Sequence, residues 1–214
     1  MTDEPGALER LGLADWRRRV AALYAEVRGM AVRDPAIALA HWRAVREMLF
    51  RTHPQSPVPV ASRADFRAQH FEHDPGLRFS LELRPAPPPD PGALPLALPN
   101  SGADTLAFSR VGTVQVPFPD GERALSVFWM AGYAGGLFLP FRDATNGQQT
   151  YPAGRYLLDT AKGADLGTDA HGRLVLDFNF AFQPSCAFDP RWACPLAPPE
   201  NRLDLAVRAG ERIA

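Results

Sequence analysis

The N-terminal part of the chain has the hydrophobic spacing of two amphipathic helices. Between residues 15 and 28, apolar side chains recur at every third or fourth position, and Gly29 follows where a helix C-cap is expected. A second such stretch begins at Asp34-Pro35, an N-cap followed by proline at the first helical position, and ends before His53-Pro54. We therefore predict two helices within an N-terminal segment, residues 1–60, that packs on the core.

After residue 60 the hydrophobic period changes to that of β-strands. Apolar and polar residues alternate over residues 77–83, and a second alternation runs into Pro119-Asp120-Gly121 and returns, which predicts a hairpin. Further strands are expected at 151–158, 174–182 and 203–207, and seven prolines between residues 85 and 99 predict a surface loop. Residues 61–214 are thus expected to form an antiparallel β barrel or sandwich, which makes the fold mainly β (α+β).

Composition excludes several classes of protein. A formal net charge of −1 over 214 residues provides no field for a polyanion, so nucleic acid is not an expected partner. The 23 basic residues include a single lysine, Lys162, and this bias towards arginine reflects coding composition better than phosphate recognition. The chain has no secretory signal pattern and no apolar run long enough to span a membrane, so we expect a cytoplasmic protein with reduced cysteines.

Several strings of residues resemble one known family. They include Phe138 to Gly147, Gly154-Arg155-Tyr156, Cys194 to Leu203 and the closing Arg208-Ala-Gly-Glu211, and the likeness extends back to His41-Trp42. These strings resemble the bacterial and archaeal domain of unknown function numbered 1684. The resemblance implies no reaction, cofactor or catalytic residue.

The first candidate site is a group of polar residues in the predicted β domain. Asp177 and Asn179 lie two positions apart and would face the same side of one strand. Arg155 could then hold an anionic group while nearby side chains orient it. The alternative is an internal Arg–Asp pair that fixes the turn at Asn146-Gly147. The candidate ligand-binding residues are Arg155, Tyr156, Asp143, Asp177, Asn179 and Glu200.

The second candidate is the thiol pair Cys186 and Cys194, with Pro190 between them to help the chain fold back. Three readings stay open: reduced structural cysteines, a disulfide or redox pair, or part of a metal site that lacks further evident ligands. His70 and His73 have a spacing that suits metal ligands, but a solvated turn explains them equally well, so no metal site is predicted.

These observations leave the function and any cofactor unknown. The leading hypothesis is a small-molecule pocket for an anionic metabolite, binding or enzymatic, in the C-terminal β domain. The first alternative is a non-catalytic interaction protein whose helices dock a partner or a second copy through Trp16 or Trp42, so a homo-oligomer is possible. The second alternative is a thiol redox domain that uses Cys186 and Cys194.

Overall fold

The computed structural model describes residues 6–88, 96–98, 101, 107–132 and 135–213. Part of the proline-rich stretch, residues 89–95 and 99–100, therefore lies outside the described residues. None of the described helices is long and apolar enough to cross a membrane.

Two helices open the described chain, as predicted. Helix α1 spans Ala7–Ala31 and is longer at both ends than the hydrophobic pattern indicates, since it continues past Gly29. Helix α2 spans Pro35–Thr52, and the Asp34 carboxylate accepts hydrogen bonds from the backbone N–H groups of Ala36 and Ile37. This cap satisfies donors that have no partner within the helix and fixes where α2 begins.

Ten strands follow among the described residues, all paired antiparallel. They are β1 (Gln69–His70), β2 (Arg78–Leu81), β3 (Arg84–Pro85), β4 (Leu96–Ala97), β5 (Ala107–Phe118), β6 (Gly121–Met130), β7 (Gly136–Phe141), β8 (Arg155–Asp159), β9 (Leu174–Asp177) and β10 (Glu211–Arg212). Single turns of 3-10 helix occur at Val60–Ser62, Pro75–Leu77, Thr160–Lys162, Phe178–Phe180, Ser185–Ala187 and Pro199–Asn201.

The main sheet has the order β3-β5-β6-β7-β8, with β4 also paired to β5. Its centre is the predicted hairpin, in which β5 and β6 meet at Phe118 and Gly121. Two smaller sheets pair β1 with β10 and β2 with β9. Within the part of the chain that the structure describes, the strands do not close into a ring, so the arrangement is a sandwich-like α+β fold and not a barrel.

The two faces of the main sheet bury different layers. Leu23, Val27 and Trp42 from the helices share a buried cluster with Phe128 of β6 and Tyr156 of β8. The neighbouring residues Val127 and Leu157 belong to another cluster, which includes Leu174 and Leu176 of β9. Since consecutive strand residues face opposite sides, the helices cover one face of the sheet and the β2–β9 pair covers the other.

Three strand predictions differ from the structure. The strand expected at residues 151–158 starts only at Arg155, after a turn in which the Gly154 N–H donates to the Tyr151 carbonyl. The alternation over residues 174–182 does not form one strand, because β9 ends at Asp177 and its carboxylate accepts the N–H of Asn179, which starts a 3-10 turn. Residues 203–207 form no strand. Their backbone groups bond instead to scattered partners, with the Leu203 N–H donating to Arg142 and the Leu205 carbonyl accepting from Ala144.

Candidate functional site

Arg155 stands at the start of β8 with no exposed surface. Its Nη2 atom donates to Asp143 Oδ2 at 3.0 Å and to the Val207 carbonyl at 2.8 Å. Its Nη1 atom donates to the carbonyls of Ala209 and Glu211. Burial lowers the pKa of Arg155 and the Asp143 carboxylate opposes this shift, so the guanidinium remains charged. Arg155 thereby fastens the C-terminal segment to the sheet.

Asp143 serves the same junction from the turn after β7. Its Oδ2 also accepts the Val207 N–H at 2.8 Å, and its Oδ1 accepts the Thr145 hydroxyl at 2.6 Å. Asp143 and Arg155 are therefore brought together, in a buried pair whose hydrogen bonds go to the protein itself. This arrangement agrees with the alternative interpretation of the sequence, in which the arginine and an aspartate form an internal ion pair and not a ligand site.

Asp177 and Asn179 form a separate network. The Asp177 carboxylate accepts from Arg78 Nη1 at 3.0 Å and from both the backbone and the side-chain nitrogen of Asn179. The Asn179 amide in turn bonds the backbone N–H and carbonyl of Asp74. No hydrogen bond or ion pair between described residues joins this network to Arg155, so Arg155 belongs to one hydrogen-bond network and the Asp177–Asn179 pair to another.

Glu200 and Tyr156 lie elsewhere again. Glu200 accepts from Arg110 Nε at 3.1 Å in a half-exposed ion pair that ties the Pro199–Asn201 turn to β5. The Tyr156 hydroxyl donates to the Pro195 carbonyl, and the ring packs against Phe138 and Phe182. Tyr156 is the one predicted ligand-binding residue that lines a cavity between the helices and the sheet.

This helix–sheet cavity has a volume of about 60 Å³. Its apolar wall comes from both helices and from the segment after the 3-10 turn at Phe178, and includes Trp16, Tyr24, Phe50 and Phe182. Its polar lining consists of Arg46, Tyr156, Asp159, Lys162, Gln183 and Ser185.

Arg46 is the inner cation of the cavity, with its side chain 14% exposed. Its guanidinium lies over the rings of Trp42, Phe50 and Phe182, at 5.4, 4.4 and 5.0 Å from their centroids. It donates through Nε and Nη2 to Glu211, whose carboxylate also accepts the Gln183 N–H at 2.8 Å. Within the described residues Nη1 makes no hydrogen bond, so this end of the guanidinium has donors to spare.

Lys162 is the outer cation, with its side chain 50% exposed. Its Nζ atom lies 3.1 Å from Asp159 Oδ2, and this carboxylate raises the pKa of Lys162. The ammonium group is therefore charged at neutral pH and keeps two further N–H donors.

Sequence reasoning missed both cations as site residues, although each leaves a signal. Arg46 falls four residues after Trp42 and four before Phe50, so it lies on the buried stripe of α2, where an unpaired charge is costly. Lys162 is the single lysine of an arginine-rich chain. Asp159 ends β8, three residues before it, and could have been recognised as its partner.

Cys186 and Cys194 lie in contact. The Cys186 N–H donates to Cys194 Sγ at 3.3 Å, and neither cysteine is in a disulfide. No group of three or more histidine, cysteine or acidic side chains suited to hold a metal ion occurs in the described ranges.

His70, one of the two histidines considered as metal ligands, is partly buried. Its ring meets the Trp42 ring edge-on, with centroids 5.9 Å apart, and its Nε2 atom is buried without a partner among the described residues. Burial lowers the pKa of His70 to about 4, so the ring is neutral at pH 7.

We expect His70 to make the protein sensitive to acid. The unfolded chain binds a proton near pH 6.5 and the folded chain only near 4, so the free energy of unfolding should fall as the pH drops through this window. The loss should be about 3 kcal/mol, measured as urea unfolding at neutral pH and at the acid end of the window. His70→Phe keeps a neutral ring and should reduce the loss, and an equal loss in both proteins would contradict this role.

The structure also shows how exposed the two tryptophans are that the alternative hypothesis, a non-catalytic interaction protein, uses as docking residues. Trp42 of α2 is fully buried, so it offers no docking surface, whereas Trp16 is partly exposed and stacks on Phe50 with ring centroids 6.0 Å apart. Whether the helices bind a partner or a second copy stays a prediction.

Comparison with known proteins identifies relatives of unknown function. Residues 65–212 match the family described as "Protein of unknown function (DUF1684)". An uncharacterized protein from Haloarcula marismortui, solved by NMR in solution, is 31% identical over 86% of this chain and 96% of its own, with a TM-score of 0.57. No curated protein matches. With more than half of its length matched, and in agreement with the resemblance noted in its sequence, this chain belongs to the DUF1684 family.

Proposed function

We propose that this protein binds a small anion, or the anionic group of a larger metabolite, in the helix–sheet cavity. The observation that carries the proposal is that Arg46 and Lys162 line the same aromatic-walled cavity, and both keep donors that no described residue accepts. In this proposal Tyr156 remains a ligand-binding residue, as the sequence indicates, while Arg46 and Lys162 take the part expected of Arg155.

The two cations suit different parts of the binding event. Arg46 is held rigidly by three aromatic rings and Glu211, so its free Nη1 edge is oriented before a ligand arrives. Lys162 is half-exposed, whereas its partner Asp159 is buried and occupies one side of the ammonium group. The remaining N–H donors of Lys162 can bind a ligand oxygen without displacing Asp159, and the anion gains charge-assisted hydrogen bonds.

The volume of the cavity limits the ligand. Since one water molecule needs roughly 10–15 Å³ of cavity, a volume of about 60 Å³ accommodates about four water-sized groups. An acetate or phosphate group fits such a space, and anything larger must extend through the mouth beside Lys162.

The single lysine makes a direct test possible. Protein grown with isotopically labelled lysine reports on Lys162 alone, and titration with inorganic phosphate or acetate should shift its NMR signal saturably. We expect a dissociation constant on the order of 1 mM, because two charge-assisted contacts supply only a few kcal/mol. A response to either anion no larger than that to chloride at equal ionic strength would refute the proposal.

Matched variants separate the cavity from the overall charge. Lys162→Met should weaken phosphate binding by about tenfold in a thermal-shift titration, which corresponds to the loss of about 1.4 kcal/mol. Arg173→Met removes the same charge from another surface pair, with Asp169, and should leave the affinity unchanged. Equal losses in the two variants would show that phosphate responds to net charge alone, which contradicts a site at Lys162.

A further inference from the structure

The two cysteines are positioned by separate backbone anchors on either side of one turn. Cys186 lies in the 3-10 turn Ser185–Ala187, and Cys194 follows a turn in which Asp189 accepts the Arg191 N–H. The Cys194 N–H donates to Ser101 Oγ at 2.9 Å and its carbonyl accepts from the Ser101 N–H at 3.0 Å. Both sulfur-bearing residues are thus held in contact by the fold before any covalent bond forms.

The hydrogen bonds at the sulfurs make the two thiols unequal. Donation from the Cys194 thiol, followed by that from the Tyr151 hydroxyl, lowers the pKa of Cys186 to about 6. The same bond, with burial, raises the pKa of Cys194. Tyr151, itself raised to a pKa of about 12, stays a donor at neutral pH, and the remaining titratable neighbours of the pair are Tyr156 and Lys162. These opposite shifts favour Cys186 as the thiolate and Cys194 as the thiol that donates to it.

We propose that Cys186 and Cys194 are a peroxide-reactive dithiol, in which Cys186 is oxidised first and Cys194 closes the disulfide. The inference is independent of anion binding in the helix–sheet cavity. The two sites adjoin, since Ser185 lines the cavity and Cys186 is the next residue.

The chemistry balances with a hydroperoxide as oxidant. The Cys186 thiolate attacks one oxygen of hydrogen peroxide, the O–O bond breaks, and hydroxide leaves, so Cys186 becomes a sulfenic acid. Cys194 then attacks the Cys186 sulfur, an S–S bond replaces the S–O bond, and the Cys194 proton leaves with the hydroxyl as water. Two thiols and one peroxide give one disulfide and two waters.

The arrangement supplies what each step needs. The first step needs a thiolate, which Cys194 and Tyr151 stabilise. For the second step, the chief cause of the raised pKa of Cys194 is Cys186 itself, and that cause disappears once Cys186 carries oxygen. The Cys186 N–H, 3.3 Å from Cys194 Sγ, then favours negative charge on the attacking sulfur. With 7% and 3% of the two residues exposed, a small oxidant is favoured over a bulky disulfide.

The first test counts thiols in the folded protein. Treatment with one equivalent of hydrogen peroxide should reduce the free thiols from two to none, lower the mass by two hydrogen atoms, and be reversed by dithiothreitol. Two thiols that survive this treatment would overturn the proposal, and so would a disulfide that forms only between molecules.

Variants assign the roles of the two sulfurs. Cys194→Ser keeps a donor to Cys186 but cannot close the disulfide, so peroxide should leave a sulfenic acid that dimedone traps at Cys186. In this variant the rate of alkylation by iodoacetamide should rise with a midpoint near pH 6. Cys194→Ala removes the donor and should lower the alkylation rate at pH 7 by roughly tenfold. A midpoint near the ordinary cysteine value of about 8.5 in Cys194→Ser would overturn the assignment of the thiolate.

Thermal unfolding of each cysteine variant checks that the fold persists.

Tyr151→Phe provides a second, milder change, because it removes one donor and keeps both cysteines and the aromatic ring. It should raise the alkylation midpoint of Cys186 while leaving disulfide formation intact. Alkylation of the Tyr151→Phe protein with an unchanged midpoint would contradict the hydrogen bond assigned to this hydroxyl.

Discussion

Replacing Arg155 with methionine is expected to destabilise the protein by about 3 to 5 kcal/mol, among the largest effects that a single substitution produces. The change removes a fully buried guanidinium and leaves the Asp143 carboxylate charged and unpaired in the interior. It also removes the donors to three backbone carbonyls in the segment 207–211. Urea unfolding followed by tryptophan fluorescence measures the loss.

Two comparisons show that the effect arises from burial. Arg110→Met breaks the half-exposed pair with Glu200 and should cost less than about 1 kcal/mol, since surface pairs contribute little. The double variant Arg155→Met with Asp143→Leu removes both charges and should be less destabilised than the sum of the two single variants. A loss in Arg155→Met no larger than in Arg110→Met would contradict the structural role of Arg155.

The elements that the sequence predicts well are those whose causes are local. Asp34 caps α2 within three residues, and the Pro119-Asp120-Gly121 turn joins two strands whose alternation is visible in the chain. Each of these signals is complete within a short window, so hydrophobic period and turn chemistry suffice. The same patterns placed the helices before the antiparallel sheet.

The elements that the sequence predicts poorly depend on distant partners. Residues 203–207 alternate like a strand, yet their backbone pairing with residues 142–144 ends at Leu205, and distant side chains occupy both backbone groups of Val207. The Val207 N–H donates to Asp143 and its carbonyl accepts from Arg155. Asp143 and Arg155 lie more than fifty residues earlier in the chain. When a side chain binds the backbone groups that a neighbouring strand would otherwise bind, the hydrophobic pattern of the sequence does not reveal it.

The candidate site shows the same division between local and distant causes. The polar residues after position 140 are unusual enough to be noticed, but the strand pattern alone cannot say which of them face each other. Arg155 donates its hydrogen bonds to backbone carbonyls, whereas the cations that line the cavity come from α2 and from the turn after β8. Only the packing of α2 on the sheet brings Arg46 near Lys162. The thiol pair was accessible to sequence reasoning because a single turn separates its members.

Asn201 should be the second position of high cost, because its side chain takes the place of a missing strand partner. It lies fully buried in the Pro199–Asn201 turn, against β6 and β7. Its Oδ1 accepts the Ser126 N–H at 2.7 Å, and its Nδ2 donates to the carbonyls of Ser126 and Pro140 at 2.9 and 2.7 Å. Asn201 thus satisfies three backbone groups in two strands.

We expect Asn201→Ala to lower the free energy of unfolding by about 2 to 5 kcal/mol, since it leaves three buried backbone groups without partners. Asn201→Asp retains the acceptor for Ser126 but turns a carboxylate oxygen towards two carbonyls, so it should be no more stable than the alanine variant. Glu200→Ala, in the same turn but half-exposed, is the control and should cost less than about 1 kcal/mol. If the free energy of unfolding of Asn201→Asp were close to that of the wild type, the two hydrogen bonds donated by Nδ2 would contribute little. That result would contradict the role assigned to the amide.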